Sequence, residues 1–96
     1  MLTWMVYDIA DDGRRARAAK AALQAGLVRV QMSVFLGAIN DNERDGLTLR
    51  LSDLIDPGAD SVYVFPMCRA DFAKVDLLGV AFDRRRVADE LSSLFI

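Results

Sequence analysis

The sequence predicts one α+β domain in which helices cover one face of a β-sheet. Two patterns of apolar residues, one typical of strands and one typical of helices, support this prediction. A run of residues that are nearly all apolar, such as Leu2 to Ile9, is typical of a strand that is covered on both faces. Apolar residues at the spacing i, i+4, i+7 and i+8 are typical of amphipathic helices, and they occur at Leu47, Leu51, Leu54 and Ile55. The chain has 96 residues and no linker, repeat or low-complexity segment, which is consistent with a single domain.

The first predicted strand covers Leu2 to Ile9 and is followed by a helix. Both alternating faces of this strand are apolar, and Asp8 is the exception near its C-terminal end. Asp12 is a suitable N-cap for the helix, which we expect to end near Ala25 because Gly26 suits the position after a helix. The helix is rich in alanine and can therefore pack close to a sheet, and one of its faces carries Ala16, Ala19 and Leu23.

The middle of the chain predicts three further strands and a second helix. The extended region from Leu27 to Ile39 has thirteen residues, which is long for one strand, so we expect a bend, bulge or tight hairpin near Gln31 to Ser33. Residues 40–42, Asn-Asp-Asn, are suited to cap the second helix, and residues 56–58, Asp-Pro-Gly, end it. Ser61 to Met67 follows as a strand, and its proline, Pro66, limits that strand to a sheet edge or places the proline at a strand end.

The C-terminal part predicts a short strand over Val75 to Leu78 and a helix from about Asp83, whose apolar residues are Val87, Leu91, Leu94 and Phe95. The order β-α-β-β-α-β describes a ferredoxin-like sandwich over residues 1–80, with residues 81–96 as a C-terminal extension. This architecture leaves one sheet face open. Because the first strand is apolar on both faces and 53% of the residues are hydrophobic, we expect a homodimer in which a second copy covers that face.

The amino-acid composition excludes several kinds of catalytic site. The chain has no histidine, which excludes Ser-His-Asp catalysis, Cys-His catalysis and His-ligated zinc. Its one cysteine, Cys68, excludes an intrachain disulfide, is expected to be a buried or half-buried thiol, and is typical of a cytoplasmic protein. We expect no signal peptide and no transmembrane helix. Catalysis would use carboxylates, arginines, hydroxyls or a metal with oxygen ligands, which favours Mg²⁺ or Mn²⁺.

Charge is distributed unevenly along the chain. The net charge is −2 at pH 7, whereas residues 1–37 carry +2, residues 38–83 carry −5 and residues 84–96 carry +1. Ten of the twelve basic residues are arginines, whose planar guanidinium suits phosphate. A basic stripe that binds nucleic acid and ordinary solvated helix faces explain this pattern equally well. Arg84, Arg85 and Arg86 are interpreted as surface residues at the start of a helix.

Three blocks of the sequence resemble one known family. They are Tyr7-Asp8-Ile9-Ala10-Asp11-Asp12 with Arg14-Arg15, then Gly26-Leu27-x-Arg29-Val30-Gln31-x-Ser33-Val34-Phe35-x-Gly37, and finally Asp60-Ser61-Val62. In order and spacing over residues 1–80, they resemble the CRISPR-associated protein 2 family. The resemblance implies a ferredoxin-like homodimer that acts in spacer acquisition, where it bridges two dimers of the CRISPR integrase and holds DNA. It also implies a metal-dependent endonuclease that cleaves single-stranded RNA or double-stranded DNA.

The resemblance implies that Asp8 is catalytic. In the family this aspartate is the metal ligand and is paired with its copy across the dimer axis. Two such carboxylates with waters and phosphate oxygens suit Mg²⁺, or Mn²⁺, which would activate water or stabilise the phosphoryl charge. The alternative is a turn carboxylate that faces solvent. Asp11 and Asp12 are further candidate ligands, although their position before a helix favours capping.

Other residues of the matching blocks are candidate nucleic-acid contacts or supporting residues. Phosphate binding suits Arg14, Arg15, Arg17 and Arg29, and ion pairs with nearby aspartates are the alternative. Tyr7 supports the metal site or is a buried strand tyrosine, and Phe35 is expected to pack in the core. Two functions stay open, a metal-dependent nuclease and a non-catalytic dimeric scaffold for DNA and the integrase. An acylphosphatase-like domain is a third, for which the phosphate-binding glycine is absent.

Overall fold

The structure is a computed structural model that describes residues 1–82. It contains β1 (Leu2–Asp8), α1 (Asp12–Gln24), β2 (Val28–Gln31), β3 (Val34–Ala38), α2 (Asp41–Leu54), β4 (Ser61–Met67) and the short α3 (Arg69–Phe72). The strands form one antiparallel sheet in the order β2-β3-β1-β4, and α1 and α2 share a hydrophobic cluster with one of its faces. The predicted ferredoxin-like α+β arrangement is therefore confirmed. The helix expected from Asp83, with Arg84 to Arg86, lies outside the described residues.

β1 is an inner strand, and the prediction that both of its faces are covered is confirmed. Met5 and Tyr7 belong to the cluster beneath α1 and α2, and they are 0% and 4% exposed. Leu2 and Trp4 belong to a separate cluster on the opposite side of the sheet, called the second face below. The strand ends at Asp8, which is exposed.

α1 corrects two details of the sequence prediction. Its N-cap is Asp11 and not Asp12, because the Asp11 carboxylate accepts a hydrogen bond of 2.8 Å from the Arg14 backbone amide. Its buried face consists of Ala18, Ala19, Ala21 and Ala22. Of the predicted face, Ala16 and Leu23 are exposed instead. Alanines surround most of this helix, so the sequence has no single apolar stripe that identifies the buried side.

The middle of the chain follows the prediction. β2 and β3 form a hairpin with Met32 and Ser33 in its turn, and the register shifts between Arg29 and Gln31. α2 begins with a capping box, in which the side chains of Asn40 and Glu43 each accept from the other residue's backbone amide. The predicted core face of α2 is confirmed, since Leu47 and Leu51 are buried and Leu54 and Ile55 are half-buried.

The segment after α3 differs from the prediction. β4 is an edge strand, as its proline indicated, but Val75 to Leu78 is not a strand. The segment crosses the second face instead of extending a sheet edge: the side-chain amide of Gln31 donates to the Val80 carbonyl at 2.8 Å. The inner part of that face is covered by Phe72 of α3 and by Val75 and Phe82 of this segment, which pack against Leu2, Trp4 and Leu36.

The same region corrects the prediction for Cys68 and leaves part of the second face uncovered. Cys68 is an exposed free thiol at the N-cap of α3, where its sulfur accepts a hydrogen bond from the Asp71 amide. Tyr63 of β4 remains 63% exposed on that face, and Leu78 and Val80 of the covering segment are themselves 84% and 95% exposed. The homodimer expected from the sequence stays a prediction. No helix within residues 1–82 has the length and apolar character needed to cross a membrane.

Candidate functional site

Asp8 lies where β1 ends and the connection to α1 begins. It is paired in register with Ser61 of β4, it is exposed, and within residues 1–82 its carboxylate has no hydrogen-bond or ion-pair partner. The residues on either side of it, Tyr7 and Ile9, are each 4% exposed. The backbone at Asp8 is therefore held by buried neighbours, while the carboxylate itself is available to a cation.

The other two acids of this connection have partners in α1. Asp11 caps the helix, and the hydrogen bond from the Arg14 backbone amide holds the pKa of the Asp11 carboxyl below its usual value. Asp12 forms an ion pair with Arg15. In the described part of the chain, no three His, Cys, Asp or Glu side chains are close enough together to hold a metal ion. One Asp8 carboxylate per chain fits Mg²⁺ when a second chain, waters and phosphate oxygens complete the ligands.

Tyr7 connects the Asp8 position to the β2–β3 hairpin. Its hydroxyl donates to the Met32 carbonyl at 3.2 Å, and its ring lies 6.1 Å from the ring of Phe35. Phe35 is 0% exposed, as expected for core packing, and the Arg29 guanidinium lies 5.1 Å above the Phe35 ring. The structure therefore brings Tyr7, Phe35 and Arg29 together in one stack.

The three arginines of α1 lie at the connection that follows Asp8. Arg15 donates to the carbonyls of Ile9 and Ala10, both at 3.2 Å. The Arg17 side chain is exposed and folds back towards Gly13, where a methyl group would stand 3.4 Å from its Nη1. Arg14 points instead to Asp60, the residue before β4, and forms an ion pair of 2.7 Å with it. Two of these three arginines are therefore paired with aspartates, and Arg29 lies apart from them on the edge strand β2.

The role of Asp60 is not predicted by the sequence. The Asp60 side chain is 1% exposed, and the hydrogen bonds from Arg14 hold the pKa of its carboxyl below the usual value. The same contact raises the pKa of Arg14. The only sequence signal that points to Asp60 is its place in the matching block Asp60-Ser61-Val62. Nothing in that block indicates that its partner is Arg14, 46 positions earlier.

Proteins of known family match the region that carries this site. Residues 1–75 match the family model for CRISPR associated protein Cas2. The chain is 42% identical over 69 residues to CRISPR-associated endoribonuclease Cas2 1 of Archaeoglobus fulgidus, which covers 72% of this chain and 73% of that protein. It is 35% identical over 77 residues to CRISPR-associated endoribonuclease Cas2 of Korarchaeum cryptofilum, which covers 78% and 81%.

Solved structures agree with the sequence matches. The hypothetical protein TT1823 from Thermus thermophilus superimposes with a TM-score of 0.70 and 34% identity, over 83% of this chain and 92% of that one. Streptococcus pyogenes Cas2 has a TM-score of 0.70 and 27% identity, over 82% of this chain and 100% of that one. The family match spans every element from β1 to α3, and with them Asp8, the arginines of α1 and Asp60. The chain therefore belongs to the Cas2 family of CRISPR-associated proteins.

Proposed function

We propose that this protein is a Mg²⁺-dependent endonuclease that hydrolyses phosphodiester bonds in single-stranded RNA or double-stranded DNA as a homodimer. The observation that carries the proposal is the Asp8 carboxylate, which is exposed and unpaired within residues 1–82 although its backbone is held between two buried residues. The relatives named above as endoribonucleases, and CRISPR-associated endonuclease Cas2 2 of Thermus thermophilus at 34% identity, support it.

The residues around Asp8 have distinct parts in this proposal. The Asp8 carboxylates of two chains would hold Mg²⁺, or Mn²⁺, and the chemistry such an ion supplies when bound is a water of lowered pKa and charge neutralisation at the phosphate. Tyr7 holds the end of β1 through its hydrogen bond to the Met32 carbonyl. Arg15 fixes the carbonyls of Ile9 and Ala10, and the exposed guanidinium of Arg17 would contact a phosphate of the nucleic acid.

Family membership supports a place in CRISPR adaptation, with the CRISPR integrase and DNA as partners in the cytoplasm. A non-catalytic dimeric scaffold that holds DNA between integrase dimers is the second candidate function. It is favoured by one specific observation: Asp11 and Asp12 are both engaged within α1, so one chain offers a single unpaired carboxylate at the connection after β1. Both functions use the same homodimer and the same arginines, and they differ in what Asp8 does.

Asp8→Asn separates the two functions because it keeps the size of the side chain and removes the charge that holds a cation. We expect Mg²⁺-dependent hydrolysis to fall by about 100-fold or more, with an unchanged dimer and melting temperature. Asp45→Asn is the matched control, since Asp45 is an exposed carboxylate on α2. Hydrolysis of labelled RNA and DNA measures the effect. Equal activity of Asp8→Asn and Asp45→Asn would refute the metal site, and DNA binding without hydrolysis by the unmodified protein would establish the scaffold.

A further inference from the structure

Asp60 is the only charged residue among residues 1–82 that is buried. Its Oδ2 accepts from Arg14 Nε at 2.7 Å and from the Asp56 backbone amide at 2.9 Å, and its Oδ1 accepts from Arg14 Nη2 at 3.4 Å. A buried carboxylate is costly unless it is paired and hydrogen-bonded. The charge of Asp60 is therefore tolerated because Arg14 reaches it with two nitrogens of its guanidinium fork.

The two members of this pair lie on either side of the connection that follows Asp8. Asp60 directly precedes Ser61, the β4 residue that is paired with Asp8. Arg14 lies on the first turn of α1, directly beyond that connection. The ion pair therefore fastens the far end of the connection to the strand beside Asp8. Arg15 holds the same connection from within, through the carbonyls of residues 9 and 10.

From this geometry we propose that Arg14 and Asp60 are positioning residues, which fix the β1–α1 connection so that the Asp8 carboxylate keeps one orientation towards a divalent cation. Arg14 neutralises Asp60 and does not contact phosphate. The inference rests on the proposed cation site at Asp8, but it is independent of whether the bound cation leads to hydrolysis. Residues that orient a ligand without touching the ion commonly change metal affinity when they are substituted.

Amide hydrogen exchange in the cation-free protein tests whether the pair holds the connection. The amides of Arg14 and Arg15 donate to Asp11 at 2.8 and 2.9 Å, at the first turn of α1. The first turn of α2 provides an internal reference, because the amides of Glu43 and Arg44 donate to Asn40 at 2.8 and 2.9 Å. We expect Asp60→Asn to accelerate exchange of the α1 amides by about tenfold and to leave the α2 amides unchanged. Equal changes at both turns would overturn the proposal.

Divalent-cation affinity tests the link to Asp8. We expect Asp60→Asn to weaken binding of Mn²⁺, measured by electron paramagnetic resonance, by about tenfold, while Asp45→Asn has no effect. If hydrolysis is present, kcat should fall while KM for nucleic acid stays the same, because no phosphate contact is lost. The inference is overturned if either Asp60→Asn or Asp8→Asn leaves the Mn²⁺ affinity unchanged. Tight Mn²⁺ binding with no hydrolysis overturns only the proposed nuclease.

Arg14→Lys keeps the proposal testable if Asp60→Asn does not fold. Lysine retains the positive charge but cannot offer the two nitrogens of the guanidinium fork. We expect faster exchange at the first turn of α1 and weaker Mn²⁺ binding, each by a smaller factor than in Asp60→Asn. Arg50→Lys is the matched change at an exposed arginine of α2 and should leave both quantities unchanged. Identical behaviour of the two lysine variants would overturn the positioning role.

Discussion

Gly37 shows how one residue of the matching blocks acts through close packing of the backbone. A methyl group on Gly37 would stand 2.6 Å from Leu27 Cδ2 and 2.9 Å from the Gly26 carbonyl oxygen. Leu27 is 2% exposed and Gly26 has a φ of 101°, so neither neighbour can move away without disturbing the end of α1. Gly37 is therefore required by the approach of β3 to the chain that enters β2.

We expect Gly37→Ala to lower the free energy of unfolding by about 1–3 kcal/mol, because the added methyl overpacks this contact. Gly46 provides a matched control in the middle of α2, where a methyl group would meet nothing within 4 Å. Gly46→Ala should raise the free energy of unfolding by up to about 1 kcal/mol, since alanine is the better helix former. Urea denaturation followed by circular dichroism measures both. A Gly37→Ala midpoint at or above that of the unmodified chain would contradict the packing argument.

At the scale of elements, the sequence predicted most of the sheet and α2 because hydrophobic periodicity is a local property. The prediction was wrong where one hydrophobic pattern is compatible with two structural environments. Three of the four residues from Val75 to Leu78 are apolar, which suits a strand, but this segment covers the second face around Trp4. The role of Asp8 was inferred from the resemblance, whereas the burial of Asp60 depends on Arg14, which is 46 positions away. Such a pairing is a property of the folded chain and has no local signal.

The Arg14–Asp60 ion pair joins α1 to the α2–β4 connection, and its contribution to stability should depend on pH. Hydrogen bonds from Arg14 hold the pKa of the Asp60 carboxyl below its usual 3.8. Because the folded-state pKa is the lower one, the ionised pair stabilises the fold fully above the unfolded value. That stabilisation is lost as the pH falls through the folded pKa. We expect the melting temperature of the unmodified protein to exceed that of Asp60→Asn by a constant amount above about pH 5, and the difference to shrink below about pH 4.

Differential scanning calorimetry from neutral to acidic pH measures this difference. Asp45→Asn, an exposed α2 variant, should follow the unmodified protein across the whole range. A difference between the unmodified protein and Asp60→Asn that stays constant down to about pH 2 would show that the ionised pair does not stabilise the fold.

At the scale of the whole molecule, the second face determines whether the chain is a monomer or a dimer. The segment after α3 covers Leu2 and Trp4, but it leaves Tyr63 of β4 63% exposed, and its own Leu78 is 84% exposed. Tyr63 is paired with the half-buried Val6, so an uncovered apolar area continues from the edge strand to the inner strand. Contiguous apolar surface of this kind is typical of an interface between chains, and the proposed cation site needs two copies of Asp8.

We therefore expect the unmodified chain to sediment as a dimer with twice its mass of 10.6 kDa, and Tyr63→Glu to dissociate it. A glutamate in the interface would lose its hydration without gaining a partner, whereas in the monomer it would stay in water. Leu49→Glu places the same charge at a 70% exposed leucine on α2, away from the sheet, and should leave the dimer intact. Sedimentation velocity at micromolar concentration compares the three proteins. A monomeric unmodified chain, or equal dissociation of both variants, would rule out an interface on the second face and with it a cation site shared across that face.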